Sequence, residues 1–385
     1  MDNERGFRDG DPLGARPHDE QLSIAMVAPP FLAVPPPRYG GTERIVGVLA
    51  EGLQRRGHNV TVFASGDSRV KATLVPVVPE SLWRHGAQAE AAPYMERIVE
   101  QVARYNAPFD VIHSHLEWHA FEFARSSSVP VVSTLHGRID TGETAEVMGA
   151  FPDIRLIAIS DKQRSFWPNH NWLATIHHGL PFDDTVLGTG AGGYLLFVGR
   201  ITPEKGLDLA IELARRTRIP LMVVGKVIDE REIETYRTVL EPAEQDGIAT
   251  FLGEVGPPAR DELFADALAT VMLGDWPEPF GLVAVESLAT GTPLIARRAG
   301  ALPEIVREGV DGFVVDDVDT AVARVAELRA LNRALIRSDA LSRFSSERMV
   351  DEYEGVFREL VRTKDEESTS TNLVPEAGQT PIGVP

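Results

Sequence analysis

Two successions of short apolar runs, each alternating with helix-period segments, constrain this 385-residue chain more than any other feature. In the first, residues 22–28, 59–64, 110–113, 129–135, 155–159 and 174–177 read as strands. Segments 42–56 and 94–105 carry helical spacing between them. In the second, strands are expected at 194–198, 221–224, 250–252, 270–273, 293–296 and 312–315, with helices such as 207–218 and 229–241 between them. The strands are nearly continuous apolar runs. That pattern marks parallel sheets covered on both faces. Two βα successions of similar size predict an α/β chain with two facing, doubly wound domains. Ligands of such sheets bind beyond the carboxyl ends of the strands, so the expected site lies in the cleft between the domains.

The glycine cluster at 188–193 matches the dinucleotide pattern GxGxxG. It precedes the strand at 194–198, whereas the fingerprint requires strand, glycines and helix in that order. It therefore reads as an interdomain linker. The expected domains are 22–185 and 190–344, with a last helix at 345–362 crossing back onto the first. Residues 1–21 and 363–385 are polar, Gly/Pro-containing segments that read as disordered tails.

Trp276-Pro277-Glu278-Pro279-Phe280-Gly281-Leu282 runs into a buried helix that carries Glu286. Two prolines hold Glu278 in a stiff loop. Gly281 permits close backbone approach, and the first N–H groups of the helix have no intrahelical partner. Together they suit a ligand that carries both hydroxyls and phosphates. The same residues also suit a plain helix start, with Glu278 compensating the dipole and Glu286 in solvent. Gly40-Gly41-Thr42 likewise reads either as a phosphate cradle or as a loop with Thr42 as helix cap. Arg200 and Lys205 follow the strand 194–198 and place two cations at a sheet edge, which suits a diphosphate. His136 ends the strand 129–135 and is aimed at the cleft. His113, His115 and His119 have a metal-like spacing without a further ligand pattern, so no metal site is assigned.

Net charge is −19, which disfavours nucleic acid and an anionic membrane surface as partners. No apolar stretch approaches the roughly 20 residues of a spanning helix. The chain has no cysteine, which excludes thiol chemistry and fits a reducing, cytoplasmic setting.

These positions together resemble the retaining family-4 glycosyltransferases, whose GT-B fold is two facing Rossmann-like domains. The resemblance covers residues 22–361. It rests on Tyr39-Gly40-Gly41-Thr42-Glu43, Thr134-Leu135-His136-Gly137, Val198-Gly199-Arg200 with Pro203-Glu204-Lys205-Gly206, and Glu278-Pro279-Phe280-Gly281 through Glu286. It implies that Arg200 and Lys205 bind the donor diphosphate and that Glu286 binds the nucleotide ribose. Glu278 and the backbone of Phe280, Gly281 and Leu282 would hold the sugar. Gly41 would touch a phosphate, and His136 would lie beside the transferred sugar. Val255, within Gly253-Glu254-Val255, would read the base through backbone.

The proline-rich opening from Ala28 to Gly41 is similar to a bacterial branch containing pterin glucosyltransferases and antibiotic-tailoring enzymes. The resemblance implies a UDP-hexose donor with glucose as first expectation. The acceptor is unidentified, a small molecule being compatible. No cofactor and no metal are implied. A nucleotide-sugar epimerase and a non-catalytic sugar-nucleotide-binding protein are the rival readings. Trp83, Trp118, Trp167 and Trp172 suggest either an acceptor-stacking wall or core packing.

Overall fold

The computed structural model describes residues 21–37, 40–85, 92–105 and 108–372. A seven-stranded and a six-stranded sheet form its two halves. The first contains β1 (Ser23–Val27), β2 (Asn59–Ser65), β3 (Thr73–Val78), β4 (Val111–Ser114), β5 (Val131–Thr134), β6 (Leu156–Ala158) and β7 (Trp172–Thr175). The second contains β8 (Leu195–Val198), β9 (Leu221–Val224), β10 (Ala249–Phe251), β11 (Ala269–Met272), β12 (Leu294–Arg297) and β13 (Gly312–Val315). The spatial orders are β3-β2-β1-β4-β5-β6-β7 and β10-β9-β8-β11-β12-β13. Every ladder is parallel, as between β1 and β2, β1 and β4, β8 and β9, and β8 and β11.

In both halves the first strand lies inside the sheet, and the winding reverses on either side of it. A crevice therefore opens beyond the carboxyl ends of β1 and β4, and another beyond those of β8 and β11. The segments carrying His115, His136, Arg200 and Trp276 all leave strand ends of this kind.

Helix Gly41–Arg55 turns its apolar stripe, including Ile45, Leu49 and Leu53, onto the first sheet. It ends where Gly57 takes φ 92°, with backbone bonds from Gly57 N to Gln54 O and from His58 N to Leu53 O. That is a left-handed glycine stop. Helix Ser346–Asn372 packs Met349, Val350, Tyr353 and Phe357 into the same core as Ile24 and Leu49 of the first half. Gly52 is where the two helices touch, since a Cβ there would lie 2.4 Å from Val350 Cγ2.

Three readings of the sequence need amending. The edge strand β3 was not foreseen, because Pro76 sits inside it and its burial follows no clear alternation. Proline is tolerated there because an edge leaves one side of the strand without a ladder. The last helix does not stop near residue 362, where a tail was expected, but runs to Asn372. Its packed stripe ends near Val361, and the extension carries the exposed pair Arg362–Glu366 at helical spacing. The helix expected at 229–241 is helix Glu230–Thr235, a π-turn at Tyr236–Leu240 and a further turn Glu241–Gln245 that accommodates Pro242.

The glycine cluster at 188–193 precedes β8 and is a packed segment. Gly188 N bonds to Thr290 O, and Gly190 N and Gly192 N bond to Ala265 O and Asp266 O. A Cβ on Gly188 would meet Ala265 O at 2.2 Å, so glycine is there for close approach. Residues 1–20 and 373–385, expected as tails, and Arg38 and Tyr39 lie outside the described residues.

Candidate functional site

A cavity of about 420 Å³ lies between the halves. The first half lines it with Gly40, Gly41, Thr42, Arg44, His136, Gly137, Arg138 and His178. The second lines it with Arg200, Lys205, Val255, Arg260, Trp276, Glu278, Phe280, Gly281, Leu282 and Glu286. All ten residues singled out from the sequence are brought together here: Gly41, His136, Arg200, Lys205, Val255, Glu278, Phe280, Gly281, Leu282 and Glu286.

Two helix N-termini meet across the cavity. Helix Gly41–Arg55 begins after Gly40 at φ 141°, and helix Leu282–Ala289 begins after Gly281 at φ 111°. Neither start has a side-chain cap, so Thr42 is not the N-cap that one reading expected. A Cβ on Gly41 would stand 3.4 Å from Leu282 Cδ1, so the two starts converge on one place. Unpaired N–H groups and two positive dipole ends then face the same volume, which favours an anion.

The second half adds charge in matched pairs. Lys205 Nζ lies 2.5 Å from Glu278 Oε1 and 5.2 Å from the Trp276 ring centre. Arg200 reaches Glu204 at 3.4 Å, and Glu204 also takes Arg231 at 2.9 Å. The Glu278 loop is pinned on both sides. Ala301 N bonds to Glu278 O at 2.8 Å, and Ser160 of the first half donates to Pro279 O at 2.7 Å. Gly300, at φ 55°, lets the chain pass, because a Cβ there would lie 2.3 Å from Glu278 N. Phe280 has its ring in the core against His178 and Phe344, so only its backbone is offered to a ligand. Glu286 is 7% exposed, and its Oε1 accepts from both Arg260 and Arg44. The neighbouring Asp261 carboxyl is raised, first by burial and then by the Glu286 charge.

The first half presents a file of imidazoles instead. His136 Nε2 lies 2.8 Å from His115 Nδ1, and the His136 ring stacks on His178 at 5.2 Å. Behind them His113 contacts His115 at 4.0 Å between ring centres and bonds through Nε2 to Thr134 Oγ1 at 2.7 Å. Thr134 Oγ1 in turn meets Tyr353 OH at 3.1 Å. Burial pushes His113 and His136 down to about 3, and His115 and His178 well below the ordinary value. His136 is therefore a neutral ring near pH 7.

Glu117, at φ 51°, receives the N–H groups of His136 and Gly137 on Oε1 at 3.0 Å each. Burial raises its carboxyl to about 7, against the lowering effect of those two bonds. The metal-like spacing of His113, His115 and His119 is thus spent on other contacts. His119 stacks on Trp118, and no metal-holding group of three occurs among the described residues.

Several residues were not foreseen. Arg44, Arg260 and Trp276 line the cavity, while His115, Glu117 and His178 brace His136. Arg138 stacks its guanidinium 5.0 Å from Trp276 while paired to Asp140. The two-residue step from His113 to His115 on a strand was the available signal for the imidazole file. Of the two readings of the tryptophans, core packing holds for three, and none of the four lines the cavity. Trp118, Trp167 and Trp172 pack in one core cluster, and Trp83 stacks on Phe31. Away from the site, Asp317 caps helix Val318–Val325 by accepting from Thr320 N at 2.7 Å.

Comparison with known proteins agrees with this architecture. Residues 190–339 match the family described as glycosyl transferases group 1, and residues 39–178 match glycosyltransferase family 4. A D-inositol 3-phosphate glycosyltransferase of Acidothermus cellulolyticus is 29% identical, over 73% of this chain and 76% of that protein. Among solved structures, a glycosyltransferase of avilamycin A biosynthesis superposes with TM-score 0.67 at 23% identity, covering 88% of this chain and 98% of the other. Anabaena HepE, solved with UDP-glucose, superposes with TM-score 0.65 at 16% identity, covering 91% and 100%. No helix among the described residues is long and apolar enough to cross a membrane.

Proposed function

This chain belongs to the family-4 glycosyltransferases with the GT-B fold, and we propose that it is a retaining hexosyltransferase using a UDP-sugar, with glucose as the first donor to test. The observation that carries the reading is the meeting of two uncapped helix starts beside Lys205, Arg200, Glu278 and Glu286 in one cavity. HepE, which binds UDP-glucose, shares the fold and motivates the donor. In this reading Arg200, Lys205 and the helix starts take the diphosphate, with Gly41 against a phosphate. Glu286 takes the ribose, the backbone at Val255 takes the base, and Glu278 with the Phe280–Leu282 backbone takes the sugar.

The chemical problem is charge on the leaving group. The bond from the anomeric carbon to the phosphate oxygen breaks, and its electron pair stays on the diphosphate. Two cations and two dipole ends held in place beforehand stabilise that charge without a metal. The acceptor hydroxyl attacks the same face of the sugar. Its oxygen forms the new bond, and its proton passes to the departing phosphate oxygen. His136, neutral and with Nε2 engaged by His115, offers its other ring nitrogen as a hydrogen-bonding group to the sugar.

The acceptor lies against the first half. Curated relatives act on D-inositol 3-phosphate, so that polyol phosphate heads the acceptor panel. The test is incubation with UDP-glucose, an acceptor panel and excess EDTA, read by mass spectrometry. Transfer to an acceptor with chelator present supports the reading. Conversion of the donor without any acceptor would make the protein an epimerase, and tight UDP binding with neither reaction would make it a binding protein.

A further inference from the structure

Glu286 is the most enclosed carboxylate of the cavity, and its surroundings come from both halves. Arg260 lies on helix Ala259–Asp266 of the second half, is itself 12% exposed, and bonds Glu286 Oε1 at 2.5 Å. Arg44 lies in the first turn of helix Gly41–Arg55 of the first half, and bonds the same oxygen from across the cleft. Oε2 accepts from none of the described residues. Among the described residues Arg260 Nε is buried without a partner, and the one hydrogen bond of this guanidinium is to Glu286 Oε1.

An ionised carboxylate at this burial is costly unless paired. One guanidinium would suffice for charge. Two of them on one oxygen do more: they fix the plane of the carboxylate and leave its second oxygen as the open acceptor.

We propose that Arg44 and Arg260 are positioning residues for Glu286, a clamp from opposite halves that presents Oε2 to a vicinal diol such as the nucleotide ribose. This rests on the donor reading given above. Arg260 aims the carboxylate from within its own half. Arg44 makes that aim depend on the other half, so nucleotide recognition is assembled only when the halves are together.

The alternative role for either arginine is direct contact with a phosphate. A double-mutant cycle on the full chain separates the two. UDP affinity is measured by calorimetry for Arg44→Gln, Arg260→Gln and Glu286→Gln, and for each arginine change made in the Glu286→Gln background. Positioning through Glu286 predicts a loss of roughly ten-fold or more for each single change, about 1.4 kcal/mol. It predicts almost no further loss when Glu286 is already glutamine. Arg44→Lys and Arg260→Lys should recover part of the affinity, and they serve as the folded controls should a glutamine variant be unstable.

Equal losses in both backgrounds would overturn the clamp in favour of direct phosphate binding. Unchanged affinity in the arginine variants, with Glu286→Gln impaired, would overturn it while leaving the ribose assignment intact. Unchanged affinity in Glu286→Gln itself would instead remove the ribose assignment, and the clamp with it.

Discussion

The two walls of the cleft solve opposite electrostatic problems. The wall built on the second sheet is charged and paired: Lys205 with Glu278, Arg260 with Glu286, Arg200 with Glu204. The wall built on the first sheet offers backbone N–H groups at Gly41 and a file of neutral imidazoles ending at His136. Charges held in pairs can be handed to a ligand that brings both phosphates and hydroxyls, with little reorganisation. The uncharged imidazole file instead leaves the orientation of an uncharged hydroxyl to hydrogen bonds and shape. In the proposed reading most of the nucleotide contacts come from the second half, with Gly41 and Arg44 reaching across from the first, and the reacting hydroxyl lies on the imidazole side.

The largest expected effect strips charge from the paired wall. Arg200→Ala and Lys205→Ala each remove a charge-assisted contact of about 1.5–3 kcal/mol, so donor kcat/KM should fall roughly 10- to 100-fold in each. Lys205→Ala also leaves Glu278 without its partner and should be the worse of the two. Steady-state kinetics with UDP-glucose, beside a thermal melt to verify folding, decides it. Wild-type kinetics in both variants would erase the contrast between the walls.

Next in size is the neutral wall. If the ring faces the sugar and not the nucleotide, as proposed, His136→Ala should lower kcat clearly while UDP affinity stays within about three-fold. A loss of UDP binding equal to the loss of kcat would mean that His136 acts on the nucleotide and not on the sugar.

The imidazole file also has a signature in pH. His113 and His136 have folded values near 3 against 6.5, so their contribution to stability is intact above 6.5 and is lost as pH falls through that range. Glu43 and Glu117 are raised to about 7 against 4.5, so the fold gains from them as pH falls from 7 to 4.5. The two effects oppose each other between pH 6.5 and 4.5, and only the histidine loss continues below. The melting midpoint should fall gently from pH 7 to 5 and steeply below 4.5. Glu117→Gln removes one compensating carboxyl and should steepen the fall from pH 7 to 5. An unchanged slope would show that Glu117 is ionised in the folded protein.

The smallest effect lies away from both walls. Asn332 caps helix Arg333–Phe344 by accepting from Leu335 N at 3.1 Å. Asn332→Ala should cost about 1 kcal/mol of stability and leave kinetics untouched. Altered donor KM in this variant would mean that losses of stability alone reach the cleft.

The same asymmetry decided what could be read in the sequence. The paired wall sits on one continuous stretch, residues 276–286, and on Arg200 with Lys205, so local motifs disclosed it. Its clamp escaped because Arg44 and Glu286 are joined only by the facing of the halves. The neutral wall depends on contacts between residues far apart in the chain, such as His115 with His136 and Thr134 with Tyr353. Nothing local in the sequence records such contacts. Among the strands, β3 escaped because an edge position tolerates the Pro76 that a central strand would not, and the last helix outran its apolar stripe on surface ion pairs.

The division of labour between the two cleft carboxylates tests the account most directly. Glu278→Gln and Glu286→Gln should be compared by calorimetry with UDP and by donor kinetics. Glu286→Gln is expected to weaken UDP binding and raise donor KM, whereas Glu278→Gln should keep UDP affinity and lose kcat. Loss of UDP affinity in Glu278→Gln with full affinity in Glu286→Gln would contradict the placement of the donor in this cleft.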